Sequence, residues 1–237
     1  DQKHLTNQPD QGGLPSRHVN DLVVDRTGQV WIATHNGVSH FPFPADILQR
    51  SSINASPILI DGRPLLNNES VTCLAVDGGN RKWIGTEKGI WLFSPQGDSV
   101  ISNFTVENSP LPSNAILDVN IDSNTGEVFI VTDAGTVSYR GTATEPLRSR
   151  EQVKIFPNPV DRDFQGMVGI SGLTGNDIVK VTDITGKLVK EFMATGGTAV
   201  WDIQDYQGQR VQSGVYLIFS SSSDGNETFV GKIAVVN

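Results

Sequence analysis

The chain has 237 residues, a formal net charge of −8 at pH 7, 37% hydrophobic residues, 24 glycines and 12 prolines. The hydrophobic fraction supports a conventional core, and the many turn-forming residues favour an all-β protein with short strands. The acidic balance, without a cluster of Lys and Arg, argues against nucleic acid as a partner. No apolar run reaches the length of about 18 residues that a transmembrane segment requires.

Three N-terminal segments repeat one pattern. Each has an apolar run that ends in Asp, a turn, a short strand led by an aromatic residue, a turn with Gly, and a further strand. The segments run from Leu14 to Phe41, from Asn67 to Phe93 and from Leu111 to Tyr139, with the aromatic residues Trp31, Trp83 and Phe129 spaced 52 and 46 residues apart. This period is typical of β-propeller blades. One repeat cannot bury its own apolar face, so neighbouring repeats are expected to stack.

The recurring polar and aromatic residues of the repeat have a structural interpretation and a functional one. Asp25, Asp77 and Asp122 precede turns, and we interpret them as turn formers rather than as a metal-binding ring. Trp31 and Trp83 occupy the same register, which favours packing between blades over a role as sugar-stacking platforms. We therefore predict no metal site and no cofactor, and the sequence does not identify ligand-binding residues on the blades.

The repeat D-x-x-G-x-[VI]-W-I-[AG]-T-x-x-G-[VI] resembles the two-component-regulator propeller repeat of bacterial multi-blade propellers. The third repeat is the most divergent, because Phe129 and Val131 replace the usual Trp and small residue. Propellers close with at least about four blades. We therefore expect residues 1–144 to form about three blades, the C-terminal part of a propeller whose earlier blades lie upstream.

A different β pattern follows the repeats. Residues 145–151 are polar and aperiodic, which is typical of a linker. Residues 152–237 contain about seven short apolar runs separated by turn signals, the pattern of a small Ig-like β-sandwich. The predicted fold is thus all-β, a partial propeller followed by an autonomous sandwich.

Five segments of this region, FPNPV, VTDITGKLV, VWD, GVYLI and GKIAVV, resemble the C-terminal sorting domain of the type IX secretion system of Bacteroidetes, which moves cargo across the outer membrane. The resemblance implies candidate residues for recognition by the translocon, all of which should also help to build the sandwich. They are Pro157, Asn158, Pro159, Gly214, Val215, Tyr216, Lys232 and Val235. Recognition would also need an exposed strand edge, and we expect the last strand, from Phe229, to supply it.

The order of the two regions resembles the PorZ-like components of that secretion system. This resemblance implies a non-enzymatic protein at the bacterial cell surface, associated with the outer membrane on its extracellular side. Its sorting domain is expected to be retained and docked to the outer-membrane shuttle barrel. It further implies cooperation with a sortase-like peptidase, and a propeller that binds anionic lipopolysaccharide or protein partners. No catalytic residues are predicted, because the sequence has neither a G-x-S-x-G nor an H-E-x-x-H motif.

Two alternatives remain open from the sequence. The chain could end a secreted cargo enzyme whose sorting domain is only an export address; cleavage between Thr144 and Arg150 would favour this alternative. It could also belong to a periplasmic propeller sensor that binds oligosaccharide. We rank the sensor last, because such sensors continue into a membrane helix and no such helix is expected here.

Overall fold

The structure is a computed structural model and describes residues 1–149, 153–175, 177–221 and 227–236. The chain divides into two compact units, one comprising Asp1–Asp122 with Glu127–Arg140 and the other Ser123–Gly126 with Gly141–Asn237. Apart from a short 3-10 helix, Pro44–Asp46, the regular elements are strands. None of the described helical segments has the length and apolar character needed to cross a membrane.

The first unit contains three antiparallel sheets at the positions of the three sequence repeats. Its strands are β1 (Gln11–Gly12), β2 (Val19–Val24), β3 (Val30–Thr34), β4 (Gly37–Phe41), β5 (Ile53–Asn54), β6 (Ser56–Pro57), β7 (Leu59–Ile60), β8 (Arg63–Pro64), β9 (Val71–Val76), β10 (Lys82–Thr86), β11 (Gly89–Phe93), β12 (Val100–Phe104), β13 (Ile116–Asp122), β14 (Glu127–Thr132) and β15 (Gly135–Arg140). The sheets are β2-β3-β4-β6, β9-β10-β11-β12 and β13-β14-β15. Within the described residues, the first two blades have four strands and the third has three.

The Thr-x-x-Gly element of the repeat builds the second hairpin turn of each blade. The threonine hydroxyl donates to the glycine carbonyl oxygen at 2.8–2.9 Å and accepts the amide of the residue two positions on. The glycines have φ between 85° and 138°, a region that glycine adopts without steric cost. The pairs are Thr34 and Gly37, Thr86 and Gly89, and Thr132 and Gly135. The Thr-x-x-Gly sequence therefore forms the same turn in each of the three blades.

Apolar residues of adjacent blades form shared cores. Trp31 is 1% exposed and clusters with Leu74, Ile84 and Phe93 of the second blade. Trp83 is fully buried and clusters with residues of the third blade, with its ring 5.8 Å from that of Tyr139. The interpretation of these tryptophans as blade-to-blade packing is confirmed.

The first blade has an apolar strip with no neighbour among the described residues. Leu22 is 60% exposed and Val24 is 59% exposed, whereas Leu74 and Val119, which occupy the position of Leu22 in the next two blades, are 6% and 4% exposed. The burial of Leu74 shows that an adjacent blade covers the side chain at this position. The expectation of further blades upstream remains a prediction.

Asp25 connects a turn, an indole and the neighbouring blade. Its Oδ1 accepts the amides of Thr27 at 2.8 Å and Gln29 at 3.0 Å, and its Oδ2 accepts the Trp31 indole N–H at 3.2 Å and the Lys82 ammonium at 2.9 Å. Asp77 repeats the turn and indole contacts with Gly79, Arg81 and Trp83. The prediction that these carboxylates form turns is confirmed for both. In the third blade, Phe129 has no indole N–H to donate.

Lys82 is a fully buried cation of the second blade. Its ammonium donates to Asp25 Oδ2 and to the carbonyl oxygens of Asn80 and Pro95, and lies 4.6 Å from the centre of the Trp31 ring. All three donors of the ammonium are therefore satisfied.

The carboxyl of Asp25 has an altered pKa. Burial alone would raise the pKa of Asp25, but hydrogen bonds from Lys82, Thr27 and Gln29 outweigh burial and hold it well below its usual range. A carboxyl whose pKa falls on folding stabilises the protein fully above its unfolded pKa, about 3.9. This contribution is lost as the pH falls from there through the folded pKa.

The second unit is a two-sheet sandwich. Its strands are β16 (Lys154–Phe156), β17 (Val168–Ser171), β18 (Ile178–Asp183), β19 (Leu188–Met193), β20 (Thr198–Trp201), β21 (Gly214–Ser221) and β22 (Glu227–Val235). They form the sheets β16-β17-β20 and β19-β18-β21-β22 around a core that includes Trp201, Val181 and Ile218. The seven predicted strands are confirmed, and so is the all-β fold class.

The predicted linker is only partly described. Within the second unit, the amide of Glu145 donates to Ser123 O at 2.7 Å, and that of Leu147 donates to Leu173 O at 2.8 Å. Arg150, Glu151 and Gln152 lie outside the described residues. The boundaries proposed from the sequence, 1–144 and 152–237, remain predictions.

Replacing Lys82 by Met should lower the free energy of unfolding of the propeller unit by about 3 kcal/mol, because it leaves the buried Asp25 carboxylate without its cation. Urea unfolding followed by tryptophan fluorescence measures this loss. The matched control is Lys88→Met, which removes a cation 71% exposed and paired with Glu69. Equal losses in the two variants would contradict the role given to the buried pair.

Candidate functional site

The eight residues predicted for recognition lie on β21, on β22 and in the segment that follows β16. Gly214, Val215 and Tyr216 begin β21, and Lys232 and Val235 lie in the second half of β22. The two strands are antiparallel, with Gly214 opposite Val235 and Leu217 opposite Lys232. The structure thus brings most of the predicted residues together at one end of one strand pair.

Asn158 joins the remaining predicted segment to the same end. Its side chain donates to Lys232 O at 2.9 Å and accepts the amide of Ala234 at 3.1 Å. The amide of Val160 donates to Ala234 O at 2.8 Å, and Val236 donates back to Val160 O at 2.9 Å. The side-chain amide of Asn158 therefore makes the two hydrogen bonds that the backbone of a neighbouring strand would make. This explains why an Asn lies between Pro157 and Pro159, whose backbones have no N–H to donate.

The expectation that the last strand offers a free edge is wrong for the part of β22 from Lys232 onwards. The carbonyl oxygen of Lys232, both backbone groups of Ala234 and the amide of Val236 are bonded to Asn158 and Val160. A segment distant in sequence covers this edge, which protects it from pairing with another chain.

Tyr216 and Val235 have structural roles. Tyr216 is 8% exposed, its hydroxyl donates to Gln212 O at 2.8 Å, and its ring lies edge-on to Trp201 at 5.8 Å. A Tyr bonded to a carbonyl a few residues upstream is the tyrosine corner of Ig-like sandwiches. Burial, with a smaller effect of Asp183, raises the pKa of Tyr216, so the hydroxyl remains a donor at neutral pH. Val235 is 2% exposed.

The exposed predicted residues form one surface. Val215 is 43% exposed, Lys232 is exposed, and Leu217, opposite Lys232, is half-buried. These residues share the outer face of the sheet because side chains alternate along a strand and Tyr216 points inward. We call Val215, Leu217 and Lys232 the sorting face; the exposed Asn158 contacts its β22 side. The sequence analysis missed Leu217, although this alternation could have identified it.

The sorting face combines apolar side chains with one cation and contains no nucleophile or acid–base pair. Such a surface is suited to contact with a protein. Among the described residues, no group of three or more His, Cys, Asp or Glu side chains is arranged to hold a metal ion.

Comparison with known families defines the class of each unit. Residues 154–236 match the family described as "Secretion system C-terminal sorting domain", and residues 13–36 match the "Two component regulator propeller" family. The chain thus combines a regulator-type propeller with a type IX sorting domain.

A particular solved structure extends this similarity to both units. The chain is similar to PorZ of Porphyromonas gingivalis, described as an essential bacterial surface component of the type IX secretion system, with 28% identity over 92% of this chain and a TM-score of 0.64. The chain spans 30% of the length of that structure. A comparison with curated protein sequences gave no match.

Two further structures show weaker likeness. The extracellular domain of a putative hybrid two-component system from B. thetaiotaomicron has 12% identity over 94% of this chain and 32% of its own, with a TM-score of 0.40. Dimeric latent PorU from P. gingivalis has 19% identity over 46% of this chain and 12% of its own, with a TM-score of 0.29. Neither similarity bears on function.

Replacing Asn158 by Ala should increase hydrogen exchange at the Ala234 amide about fivefold, because this change removes the acceptor of that amide. Mass spectrometry of exchanged peptides measures the effect. In the control Lys232→Ala, exchange should remain as in the wild type, because the hydrogen bond from Asn158 goes to the backbone carbonyl oxygen of Lys232, which this change keeps. Unchanged exchange in Asn158→Ala would show that the segment does not hold the edge.

Replacing Tyr216 by Phe should lower the free energy of unfolding by about 1 kcal/mol, because the part-buried hydrogen bond to the Gln212 carbonyl oxygen is lost while the ring packing stays. Thermal unfolding followed by tryptophan fluorescence, to which Trp201 contributes, is the measurement. Tyr206→Phe, a change of the same chemistry at a residue that is 61% exposed, is the control and should unfold like the wild type. Wild-type stability of Tyr216→Phe would argue against the tyrosine corner.

Proposed function

We infer that the chain belongs to a non-enzymatic component of the type IX secretion and attachment machinery at the bacterial cell surface. The observation that carries this proposal is the similarity to PorZ, which spans both units in the same order and covers 92% of this chain. An export address alone would account for the sandwich but not for the similarity of the attached blades.

In this proposal, the sandwich docks to the outer-membrane shuttle barrel through the sorting face. The exposed Val215, the half-buried Leu217 and the Lys232 cation support this role, because apolar side chains beside a cation suit a protein interface. Asn158 holds the neighbouring edge in a fixed geometry, so the face is formed before the partner binds.

The proposed partners of the remaining surface follow from the resemblance to PorZ-like components. They are a sortase-like peptidase and, for the propeller, anionic lipopolysaccharide or a protein. Residues 1–144 and 152–237 are the proposed functional modules. We assign no ligand residues to the blades, since the buried Lys82 and Arg81 are already paired with Asp25 and Asp77.

Deletion of the gene in the source bacterium tests the main proposal. A machinery component is needed by every substrate, so other proteins with sorting domains should be lost from the surface. Western blots of surface fractions for such a protein measure this loss. Normal export of the other proteins would favour a cargo enzyme, and removal of the sandwich from the surface form, by cleavage between Thr144 and Arg150, would support that alternative.

The docking proposal has a separate test with the full chain and the purified shuttle barrel. Val215→Asp should weaken binding at least about tenfold, because it places a charge within an apolar contact. Phe156→Asp is the matched control, since Phe156 is 78% exposed on the other sheet of the sandwich. Equal binding of the two variants would overturn the assignment of the sorting face.

A further inference from the structure

The opposite edge of the four-stranded sheet is open. Strand β19 pairs with β18 on one side only. Among the described residues, no backbone group of Leu188–Met193 is bonded to any segment other than β18. Half of the backbone groups of an edge strand point away from its neighbour, so β19 presents a row of free donors and acceptors. This edge contrasts with β22, which Asn158 and Val160 cover.

Exposed side chains of defined chemistry lie along this edge. Met193 is 66% exposed and Glu191 is exposed. They lie opposite Ile178 and Lys180, two positions apart on β18, so both belong to the outer face of the sheet. An added strand would therefore place one residue beside a carboxylate and another, two positions away, beside an apolar side chain.

The inner side of the same edge has space. A cleft of about 400 Å³ opens between the start of β19, at Val189, and the segment that carries Tyr206. The cleft is also lined by Gln207, Gln209 and Gln212, whose amide side chains have no hydrogen-bond partner in the described part of the chain. A polar side chain of an added strand would find both space and hydrogen-bonding groups there.

Charge argues against a second copy of this chain as the added strand. A second copy would pair its β19 antiparallel to this one, through a two-fold axis perpendicular to the sheet. Such an axis keeps each side chain on its own face of the sheet, so one residue of β19 must lie directly opposite the same residue of the copy. In the two registers that pair the most residues of β19, centred on Glu191 or on Lys190, like charges lie directly opposite each other, which is unfavourable. The edge therefore favours a different chain.

We propose that β19 accepts an extended segment of a partner protein as a fifth strand. A Lys or Arg of this segment lies opposite Glu191, an apolar residue lies beside Met193, and a polar side chain enters the cleft. The added backbone hydrogen bonds supply affinity, and the Glu191 carboxylate supplies selectivity. The proposal is independent of the identity of the secretion partner and of the sorting face.

A charge-reversal experiment with the full chain tests this proposal. The probe is a fluorescent synthetic peptide, Thr-Val-Thr-Lys-Thr-Val-Thr, compared with the same peptide carrying Glu in place of Lys. We expect the wild type to bind the Lys peptide about fivefold more tightly, and Glu191→Lys to reverse the preference. Fluorescence anisotropy measures both affinities, and Lys154→Glu, an exposed change on the other sheet, should leave the preference unchanged.

Hydrogen exchange locates the peptide. Amides of Leu188–Met193 should become protected in the wild type with the Lys peptide, whereas those of β22 should not. Absence of binding, a preference unaffected by Glu191→Lys, or protection confined to other strands would each overturn the proposal. Because the experiment uses only the purified chain and peptides, its outcome is independent of the export and docking tests.

Discussion

The link between the first two blades depends on the buried pair of Asp25 and Lys82. Removing an ammonium from water costs several kcal/mol, and the cost is recovered only if every donor finds an acceptor. Asp25, together with the Asn80 and Pro95 carbonyl oxygens, provides these acceptors. The same carboxylate closes the turn after β2 and holds the indole of Trp31. A turn, an aromatic core residue and a neighbouring blade are thus coupled through one side chain.

The two units protect their sheets in different ways. A blade depends on the next blade, as the burial of Leu74 and the exposure of Leu22 show. The sandwich instead closes its own core and covers part of one edge with Asn158. No such cover lies over its other edge, β19, among the residues that the structure describes, and Lys190 and Glu191 at the centre of that strand disfavour self-association. An edge that is open and yet protected against its own copies is suited to a specific partner.

The sorting motif serves packing and recognition at once. Along β21, Tyr216 and Ile218 point into the core, and Val215 and Leu217 point outward, because side chains alternate along a strand. A substitution in this motif therefore affects stability or binding according to its position. This division explains why Tyr216, chosen from its motif as a recognition residue, forms a tyrosine corner, while the unselected Leu217 lies on the sorting face.

The sequence alone determined the all-β class, the three repeats, the sandwich and the motif residues, since strand alternation and turn chemistry are local properties. Only the tertiary structure decided the contacts between distant segments. Lys82 lies 57 residues from Asp25, and Asn158 lies 74 and 76 residues from its partners in β22. Such pairs depend on how sheets stack and how strands align across a core. For the same reason, no local pattern could show that Asn158 covers part of the edge of β22 while β19 stays open.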